Sequence, residues 1–593
     1  NNKQTNLSYM QRISLSKGLL YISALFISTI AFSQEDEEEG DIDTERLIIV
    51  KPYSPTVSDA FKVKQMPKIN DSTEQKKKQV NYDIFSFPVA STFTPAKGRA
   101  AGVVTKGRPS LYNNYAALGF GNYANVMAEF YGGLQVNRNQ ELGIALTHNS
   151  SQGGIENATL DDKYYDTALN LDYSGEARTF TWGAEAGFQH QVFNWYGAPD
   201  FLPITDEEYN SIDPQHSYYA VALGGNIDVE RSVFDKAEIN YRRFGDNFSS
   251  GENHVTINPE FEFAVRDQLI NLDFSADYVN GSFDQMFGNP DAEIKYSYFN
   301  LGAHPSLNYS QGDLSLEAGA QVVYSMDGEN DNNDFFVYPK IHANYQVAGE
   351  YFSVYAGADG GLQQNTYYSF AQENPFLSPT LFIAPTDKQY DIYIGGKGKF
   401  TENISYDIKG SYISEQSKAL YTHNPYLPFS PKEGYEYFNS FGLTYDNVNT
   451  VRLFGELQFA VNEDFNLRVN ASFSTYDNEF EEETWNLPQL QGALMADYQI
   501  SEKWFAGASF YFVGERKDYY NYDLTPVDGG ATQRVEELGA FLDANLRVGY
   551  KLDDQLSFFV RGNNLAEGNY QRWMGYSVQS VQVMGGASYQ FDW

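Results

Sequence analysis

The sequence predicts an all-β protein: a transmembrane antiparallel β-barrel of about 22 strands, preceded by a short N-terminal periplasmic or lumenal arm. Three patterns predict it: apolar and polar residues that alternate over long segments, aromatic residues near segment ends, and connections that are alternately short and long. The 593 residues include 46 Tyr, 43 Phe and 49 Gly, with a mean hydropathy of −0.48. Because only alternate residues of a barrel strand meet lipid, a polar average is compatible with a membrane barrel.

The composition excludes several other classes of protein. There are 41 Lys and Arg against 78 Asp and Glu, a net charge of −37, which is the wrong sign for a nucleic-acid binder. The absence of Cys excludes disulfide scaffolds, thiol catalysis and Cys-ligated zinc or iron–sulfur sites. An acidic disordered chain would be poor in aromatic residues, which make up 16% here. After residue 33 no apolar run is long enough for a transmembrane helix.

Residues 1–33 have the pattern of a cleaved secretory signal peptide. Lys3, Arg12 and Lys17 precede an apolar stretch, 18–27, and small residues follow before Gln34. A membrane anchor is the alternative, but the apolar stretch is short and an acidic run comes next. We therefore expect export, a mature chain that starts at Gln34, and no lipidation, since no Cys follows.

Residues 34–110 form an acidic tip and a basic, Pro-rich arm. Residues 46–110 hold 12 Lys and Arg against four acidic residues, whereas 111–593, the predicted barrel, hold 26 against 66. Opposite charges in a confined space attract, so we expect the arm to occupy the lumen as a reduced plug. The basic residues expected to act there are Lys62, Lys64, Lys68, Lys76, Lys77 and Lys78.

The barrel region alternates apolar and polar residues with period two. In 465–474 the apolar set is Phe465, Leu467, Val469, Ala471 and Phe473, with polar residues between them. A soluble sandwich would alternate too, but its strands are shorter and its loops have no reason to segregate by length.

The connections give the strand count. Short turns alternate with longer loops near 148–163, 191–216, 279–293, 364–388, 415–436 and 517–535. Counting on this rhythm predicts eleven outward and eleven inward strands between about 115 and 592, with both ends in the periplasm. One of them, about 437–461, is predicted to continue above the membrane.

The C-terminal part resembles TonB-dependent receptors. Asn563–Tyr570, then Gly575–Tyr576, then Gly585–Phe591 resemble the close of that family, and Asn374–Pro379 resembles its Asn-Pro-x-Leu-x-Pro loop. Gly455–Leu457 resembles the family's Gly-x-Glu strand without the intervening residue. The resemblance covers about 370–593 and implies a barrel in the outer membrane of a Gram-negative bacterium. The family's globular plug does not fit into residues 34–110.

A TonB box is a second, shorter resemblance. Arg46, Leu47, Ile48, Ile49 and Val50 resemble the extended stretch that adds as a strand to the TonB energy transducer. Any short β-branched run after an acidic linker has this pattern, so that interpretation stays open.

No motif predicts an enzyme, a cofactor or a metal site. The seven His are scattered, and HExxH, GxSxG and the P-loop are absent from the sequence. The aromatic stretch 193–203 supplies Trp195, Tyr196 and Phe201 as candidate ligand-contact residues. Stacking on a sugar or peptide, anchoring at the membrane interface and contact with a partner are equally compatible with it.

Two functions remain open. One is a transporter that moves a nutrient across the outer membrane through the lumen, which the TonB-box-like run favours. The other is a receptor-like barrel that does not transport and serves as a structural or partner-binding subunit of an outer-membrane complex, which the short arm favours. The expected partners are outer-membrane lipid, a TonB-type energy transducer, and a surface lipoprotein or other outer-membrane subunits, but no nucleic acid.

Overall fold

The computed structural model describes residues 112–593 except 200–201, 203, 266–267, 428–432, 463, 522–532 and 567. The signal peptide, the TonB-box-like residues 46–50 and the basic arm lie outside the described residues. Within the described part, 22 strands form one antiparallel sheet. They are β1 (Asn114–Gly121), β2 (Val126–Asn137), β3 (Gln140–Ser151), β4 (Tyr164–Glu176), β5 (Phe180–Asn194), β6 (Gln215–Val229), β7 (Phe234–Asp246), β8 (Gly251–Val265), β9 (Gln268–Phe283), β10 (Ile294–Gln311), β11 (Leu314–Asp327), β12 (Asn332–Ala348), β13 (Phe352–Gln363), β14 (Thr386–Thr401), β15 (Ile404–His423), β16 (Phe441–Asn462), β17 (Phe465–Asn478), β18 (Leu490–Gln499), β19 (Trp504–Val513), β22 (Phe541–Lys551), β23 (Leu556–Asn563) and β26 (Gln582–Phe591).

Four further strands and two short helices lie in the connections. The strands form two hairpins, β20 (Arg516–Asn521) with β21 (Gln533–Leu538) and β24 (Gln571–Trp573) with β25 (Tyr576–Ser577). The helices are α1 (Asp206–Tyr209) and α2 (Tyr367–Glu373). Within the described ranges, no helix has the length and apolar content needed to cross a membrane.

The sheet closes on itself, because its first and last strands pair. Asn114 of β1 lies opposite Phe591 of β26, and Leu118 lies opposite Ala587. Closure leaves no strand edge unpaired, which is the requirement for a barrel in lipid. The prediction of 22 antiparallel strands whose first and last members start and end on the same side is confirmed.

The hairpin of β15 and β16 rises above its neighbours. β16 is one continuous strand through Asp446–Asn449, as predicted, although it begins at Phe441 rather than near 437. The predicted loop 415–436 is wrong at its start, since β15 runs on to His423, which pairs with Phe441. A register shift between Glu415 and Lys418 lets the ladder continue past the polar residues that had suggested a loop.

The two faces of the barrel differ as the alternation predicts. On β6 the outward Tyr219, Val221 and Leu223 are 46%, 43% and 52% exposed, whereas the inward Tyr218 and Ala220 are buried. A continuous apolar outer surface of this kind suits lipid rather than water.

Several aromatic residues on the outer surface lie near the strand ends, although others, such as Phe188 and Phe274, lie in mid-strand. Phe180, Phe400 and Trp504 are exposed near the end that carries the short turns, and Phe120 and Phe335 near the other end. Rings of this kind sit where lipid headgroups meet water.

The two ends of the barrel carry different connections. At one end, the turn end, turns such as 138–139, 312–313 and 402–403 span a few residues. At the other end, the loop end, lie the long loops 152–163, 195–214, 284–293, 364–385, 424–440, 479–489 and 564–581. The long loops lie at one end as predicted, together with the long connection 514–540, but three connections at that end, 122–125, 247–250 and 328–331, have only four residues, so the segregation by length is incomplete. Loops 479–489 and 564–581 were not predicted from the sequence.

The main apolar core of the described residues lies at the loop end rather than midway along the barrel. Its fully buried members come both from the loops and from the loop-end termini of the strands. The largest are Tyr218, Phe244, Phe283, Tyr367, Leu377, Leu381, Phe441 and Tyr576. The long loops therefore form a packed layer, while the barrel interior below them is lined by polar side chains.

Candidate functional site

Four loops meet over the mouth of the barrel at the loop end. They are 195–214 after β5, 364–385 after β13, 424–440 after β15 and 564–581 after β23. Loops 364–385 and 424–440 belong to neighbouring hairpins, but β5 and β23 lie several strands away from both, so contacts of loops 195–214 and 564–581 with the other two must reach over the opening. We call these four loops together the loop cap.

Three aromatic rings from three of these loops form the centre of the loop cap. Phe376 stacks on Tyr576 with ring centroids 3.7 Å apart, and Tyr196 meets Tyr576 edge-on at 4.8 Å. The Tyr196 hydroxyl donates to the Ser577 carbonyl at 2.9 Å, and the Tyr576 hydroxyl donates to the Asn439 carbonyl of the fourth loop. Burial raises the pKa of both tyrosines, so both hydroxyls stay protonated as donors.

Loop 364–385 reaches the lumenal wall, where its helix α2 docks. Thr366 caps α2 and pairs reciprocally with Ser369 in a capping box. At the same helix end, Glu252 of β8 accepts from the backbone N–H of Tyr367 and Tyr368, at 2.5 and 3.4 Å. A carboxylate is favourable there, since the first N–H groups of a helix lack helical partners and carry partial positive charge.

Glu252 itself is held by the wall. It is fully buried and accepts from the Tyr296 hydroxyl of β10 at 2.8 Å. Beside it, Asp246 at the end of β7 accepts from the Tyr367 hydroxyl at 2.7 Å and lies 3.3 Å from Nε2 of the buried His216. The two carboxylates therefore fix α2 from two neighbouring strands.

Other contacts tie the same loop to strands around the barrel. Arg242 of β7 lies over the Tyr368 ring at 4.0 Å. Gln372 donates to Gln191 of β5 at 2.8 Å, Tyr421 of β15 donates to Glu373 at 2.8 Å, and Asn300 of β10 donates to Gln364 at 2.8 Å. A segment anchored to β5, β7, β8, β10 and β15 spans the lumen.

The structure places the predicted ligand-contact residues within or beside the loop cap. Trp195 is fully buried and packs on His216, Phe248 and Tyr435, with ring centroids 4.3, 5.4 and 5.3 Å away. Tyr196 belongs to the central aromatic contact, and residue 201 lies outside the described residues. Contact between these side chains and a ligand stays a prediction, and for Trp195 it would require the loop cap to open.

Below the loop cap, one side of the lumenal wall is acidic. Strands β1 to β6 contain no Lys or Arg. Asp172 alternates with the outward Leu171, so its side chain faces the lumen, and Glu185 lies directly opposite it on β5. Two carboxylates stand side by side there with no cation on either strand.

The other side of the wall carries cations. Lys409 on β15 and Arg452 on β16 each adjoin an outward apolar residue, Ile408 and Val451, and therefore face the lumen. Lys397 on β14 and Lys409 lie over lumenal tyrosine rings, Tyr355 and Tyr393, at 5.4 and 5.5 Å. The lumen is thus acidic on one side and mixed, with exposed cations, on the other.

A recess of about 400 Å³ lies in the wall where the two sides meet on β8 to β13. Most of its charges are paired: His304 with Asp273 at 3.2 Å and Lys340 with Asp359 at 2.6 Å. Among the described residues no group of His, Asp or Glu side chains is arranged to hold a metal ion. The recess is therefore a polar part of the lumenal wall whose charges are largely paired with one another.

The sequence analysis missed the residues that hold the loop cap together. Glu252, Asp246 and Asn439 contact residues more than a hundred positions away in sequence, and local patterns do not reveal such pairs. One local signal was available: the predicted loop 364–388 contains Thr366 and Ser369, which form the capping box at the start of α2.

The same fold occurs in solved receptors of the outer membrane. The ferripyoverdine receptor of Pseudomonas aeruginosa matches with a TM-score of 0.60 at 14% identity, covering 82% of this chain and 72% of that one. The FrpB iron transporter from Neisseria meningitidis matches at 0.61 and 9% identity, with 82% of both chains covered. The siderophore receptor PirA from Acinetobacter baumannii matches at 0.60 and 11%, covering 82% and 81%.

The chain has the barrel fold of TonB-dependent receptors. At such identities the likeness concerns the fold alone. No family model and no curated protein matches the chain. The finer questions of cargo and partner therefore depend on this chain's own residues.

Proposed function

We propose that this protein lies in the outer membrane of a Gram-negative bacterium and moves a nutrient through its lumen. The observation that carries the proposal is a closed 22-strand barrel whose outer surface is apolar and whose lumen is polar and charged. A closed barrel with an apolar outside is stable in lipid, and a polar lumen of this width accommodates a hydrated solute. The solved proteins of this fold are named as receptors and transporters of iron or siderophores, which supports transport as the class.

The N-terminal segment supplies the energy coupling in this proposal. The signal peptide, residues 1–33, is removed on export, and Arg46–Val50 act as a TonB box that pairs by strand addition with the energy transducer. The basic arm, with Lys62, Lys64, Lys68 and Lys76–Lys78, enters the acidic lumen as a reduced plug. Complementary charge supports this placement, since strands β1 to β6 offer carboxylates and no cations.

Deletion of residues 46–50 tests the coupling. We expect the deletion to abolish uptake of a panel of labelled ferric siderophores and free metal ions by cells, while the barrel still assembles. Deletion of residues 53–57 is the matched control. It removes the same number of residues from the same arm and should retain uptake. Heat-modifiable migration on a gel reports assembly of both variants. Normal uptake without residues 46–50 would exclude the TonB coupling.

The arm is tested separately by neutralising the six lysines to glutamine. If the arm fills the lumen through charge, its release should raise the conductance of single channels in planar bilayers, measured in a barrel whose residues 366–383 are replaced by a Gly-Ser-Gly-Ser linker so that the loop cap does not limit the current. Conductance equal to that of the linker variant with its six lysines intact would rule out the reduced plug.

The packed loop cap favours a second function. A barrel whose mouth is crossed by four interlocked loops is suited to serve as a structural or partner-binding subunit of an outer-membrane complex. In that case deletion of residues 46–50 leaves uptake unchanged, and a subunit that purifies with the unchanged protein is lost from the variant. The two functions therefore give opposite results in the same pair of strains.

A further inference from the structure

We propose that loop 364–385 is the principal barrier to passage through this barrel, held across the lumen by Glu252, and that it acts without the N-terminal arm. The inference concerns permeability of the barrel itself and does not depend on the nature of the cargo. It deepens the picture of the site, because the loop cap is then a closure built from barrel residues alone.

The anchoring pattern is the first argument. The loop leaves β13 and returns to β14, yet its contacts reach Gln191 on β5, Glu252 on β8 and Tyr421 on β15. A loop that served only to join two neighbouring strands could stay above them. β15 is the neighbour of β14, but β5 lies eight strands from β13 in the sheet, and reaching it requires the loop to extend over the opening.

The docking of the loop on the lumenal wall is the second argument. The Glu252 side chain that holds α2 is 0% exposed and lies at the loop-end terminus of β8. Arg242 follows the outward-facing Tyr241 on β7, so its side chain faces the lumen, where the guanidinium lies over the Tyr368 ring. The N-terminal end of α2 is therefore held against the lumenal face of β7 and β8.

The packing above the loop is the third argument. Tyr367 and Leu377 are 0% exposed, and Phe376 is stacked under Tyr576 of loop 564–581. The Tyr218 hydroxyl of β6 donates to the Pro375 carbonyl at 3.0 Å. Side chains above and below hold the loop in place, so it cannot swing out without breaking the centre of the loop cap.

Single-channel conductance of the full-length protein in planar bilayers tests the barrier. Replacement of residues 366–383 by a Gly-Ser-Gly-Ser linker should raise the conductance severalfold, since a wider aqueous path carries more ions. The arm is present in this variant, so an arm that blocked the lumen alone would keep the conductance low. Wild-type conductance in the linker variant would overturn the proposal.

Glu252→Ala tests the anchor. Without the carboxylate, the N–H groups of Tyr367 and Tyr368 lose their acceptor, and we expect frequent openings to the higher conductance level. Glu238→Ala is the matched control, because Glu238 lies on the neighbouring strand β7, also carries a lumenal carboxylate and hydrogen-bonds only Asn240 among the described residues. Equal behaviour of the two variants would refute the anchoring role of Glu252.

A crosslink separates loop movement from general loosening of the barrel. The chain has no Cys, so Gln191→Cys with Gln372→Cys introduces a unique pair at two side chains that are 2.8 Å apart. In the Glu252→Ala background, a short bismaleimide across this pair should return the channel to low conductance. Persistent high conductance after complete crosslinking would contradict the proposal.

Discussion

The loop cap and the lumenal wall are opposite in character, although they are built from the ends and the middles of the same strands. The loop cap is dry and aromatic, with Trp195, Tyr367, Leu377 and Phe441 fully buried. The wall is polar and charged, with Asp172 beside Glu185 on one side and Lys409 on the other. The loops thus supply buried apolar packing across the opening, and the wall supplies the charges that face the lumen.

The comparison also separates two kinds of energetics. In the loop cap, burial of apolar surface dominates, and each ring contributes through packing that water cannot replace. On the wall, charges remain hydrated, so single substitutions should change conduction more than stability. Substitutions in the loop cap should therefore act mainly on stability, and substitutions on the wall mainly on conduction.

Phe441→Ala should destabilise the loop cap most. Phe441 is 0% exposed and contacts His423, Trp573 and Tyr576 with ring centroids 5.0, 5.5 and 6.0 Å away. Truncation of a buried Phe costs about 3–5 kcal/mol, and we expect that loss in the free energy of cap opening. Hydrogen exchange of the amides of Ser378 and Asn424, whose hydrogen bonds close the cap, measures it.

Phe505→Ala is the matched control on the wall. Phe505 faces the lumen beneath Arg547 and Lys551, at 5.8 Å from each. Its loss should leave exchange at Ser378 and Asn424 unchanged. Equal destabilisation by both variants would break the distinction between cap and wall.

Docking of β20 on the loop cap should weaken as pH rises. Asp518 is 0% exposed, its Oδ1 accepts from the amides of His423 and Tyr519 at 3.2 and 2.7 Å, and its Oδ2 has no partner among the described residues. Burial raises the pKa of Asp518 to about 7. Docked β20 therefore keeps Asp518 protonated. This contribution to the free energy of docking is complete below the usual carboxyl pKa of about 4 and is lost as pH rises through about 7. Each unit of pKa difference corresponds to about 1.4 kcal/mol.

Hydrogen exchange at the His423 and Tyr519 amides, corrected for intrinsic rates at pH 5 and pH 8, measures this loss. Asp518→Asn keeps a neutral side chain and should remove the pH dependence. Two cations lie nearby: Lys517 pairs with Glu483, and Arg516, which donates to the Gln571 carbonyl at 2.7 Å, lowers the Asp518 pKa but by less than burial raises it. Glu515→Gln, at an exposed position next to the strand, is the control and should behave like the unchanged protein. A pH dependence that persists in Asp518→Asn would assign the effect elsewhere.

Tyr576→Phe should have a smaller effect within the loop cap. The ring still stacks on Phe376, but the hydrogen bond to the Asn439 carbonyl is lost, which costs about 1–2 kcal/mol. The same exchange measurement applies, and Tyr324→Phe on the outer surface of the barrel is the control. An unchanged opening free energy would mean that stacking alone holds the three loops together.

Asp172→Asn with Glu185→Gln should change only conduction. Removing the paired carboxylates should lower the cation-to-anion permeability ratio by about twofold or less, since charged lumenal side chains tune selectivity without holding the fold. Reversal potentials in a salt gradient measure the ratio, and Lys409→Gln should shift it in the opposite direction. If the double variant and Lys409→Gln shift the permeability ratio in the same direction, the charge asymmetry of the wall is disproved.

Particular elements show why part of the site was predictable. The alternation in Phe465–Phe473 predicted which face meets lipid, because the period of a strand is local and fixed. The acidic side of the wall can also be read from the sequence once the strands are placed, since β1 to β6 contain no basic residue. The partners of Glu252 and Asn439 could not be predicted, because each lies in another part of the chain.

The barrel, its strand number and its two faces can be predicted from local sequence patterns. These features follow from periodicity and from turn lengths, which neighbouring residues specify. The inward folding of the loops, the docking of α2 on Glu252 and the cover of Tyr435 and His216 over Trp195 are visible only in the folded molecule. The physical reason is that such contacts depend on closure of the sheet, which brings strands distant in sequence around a common lumen.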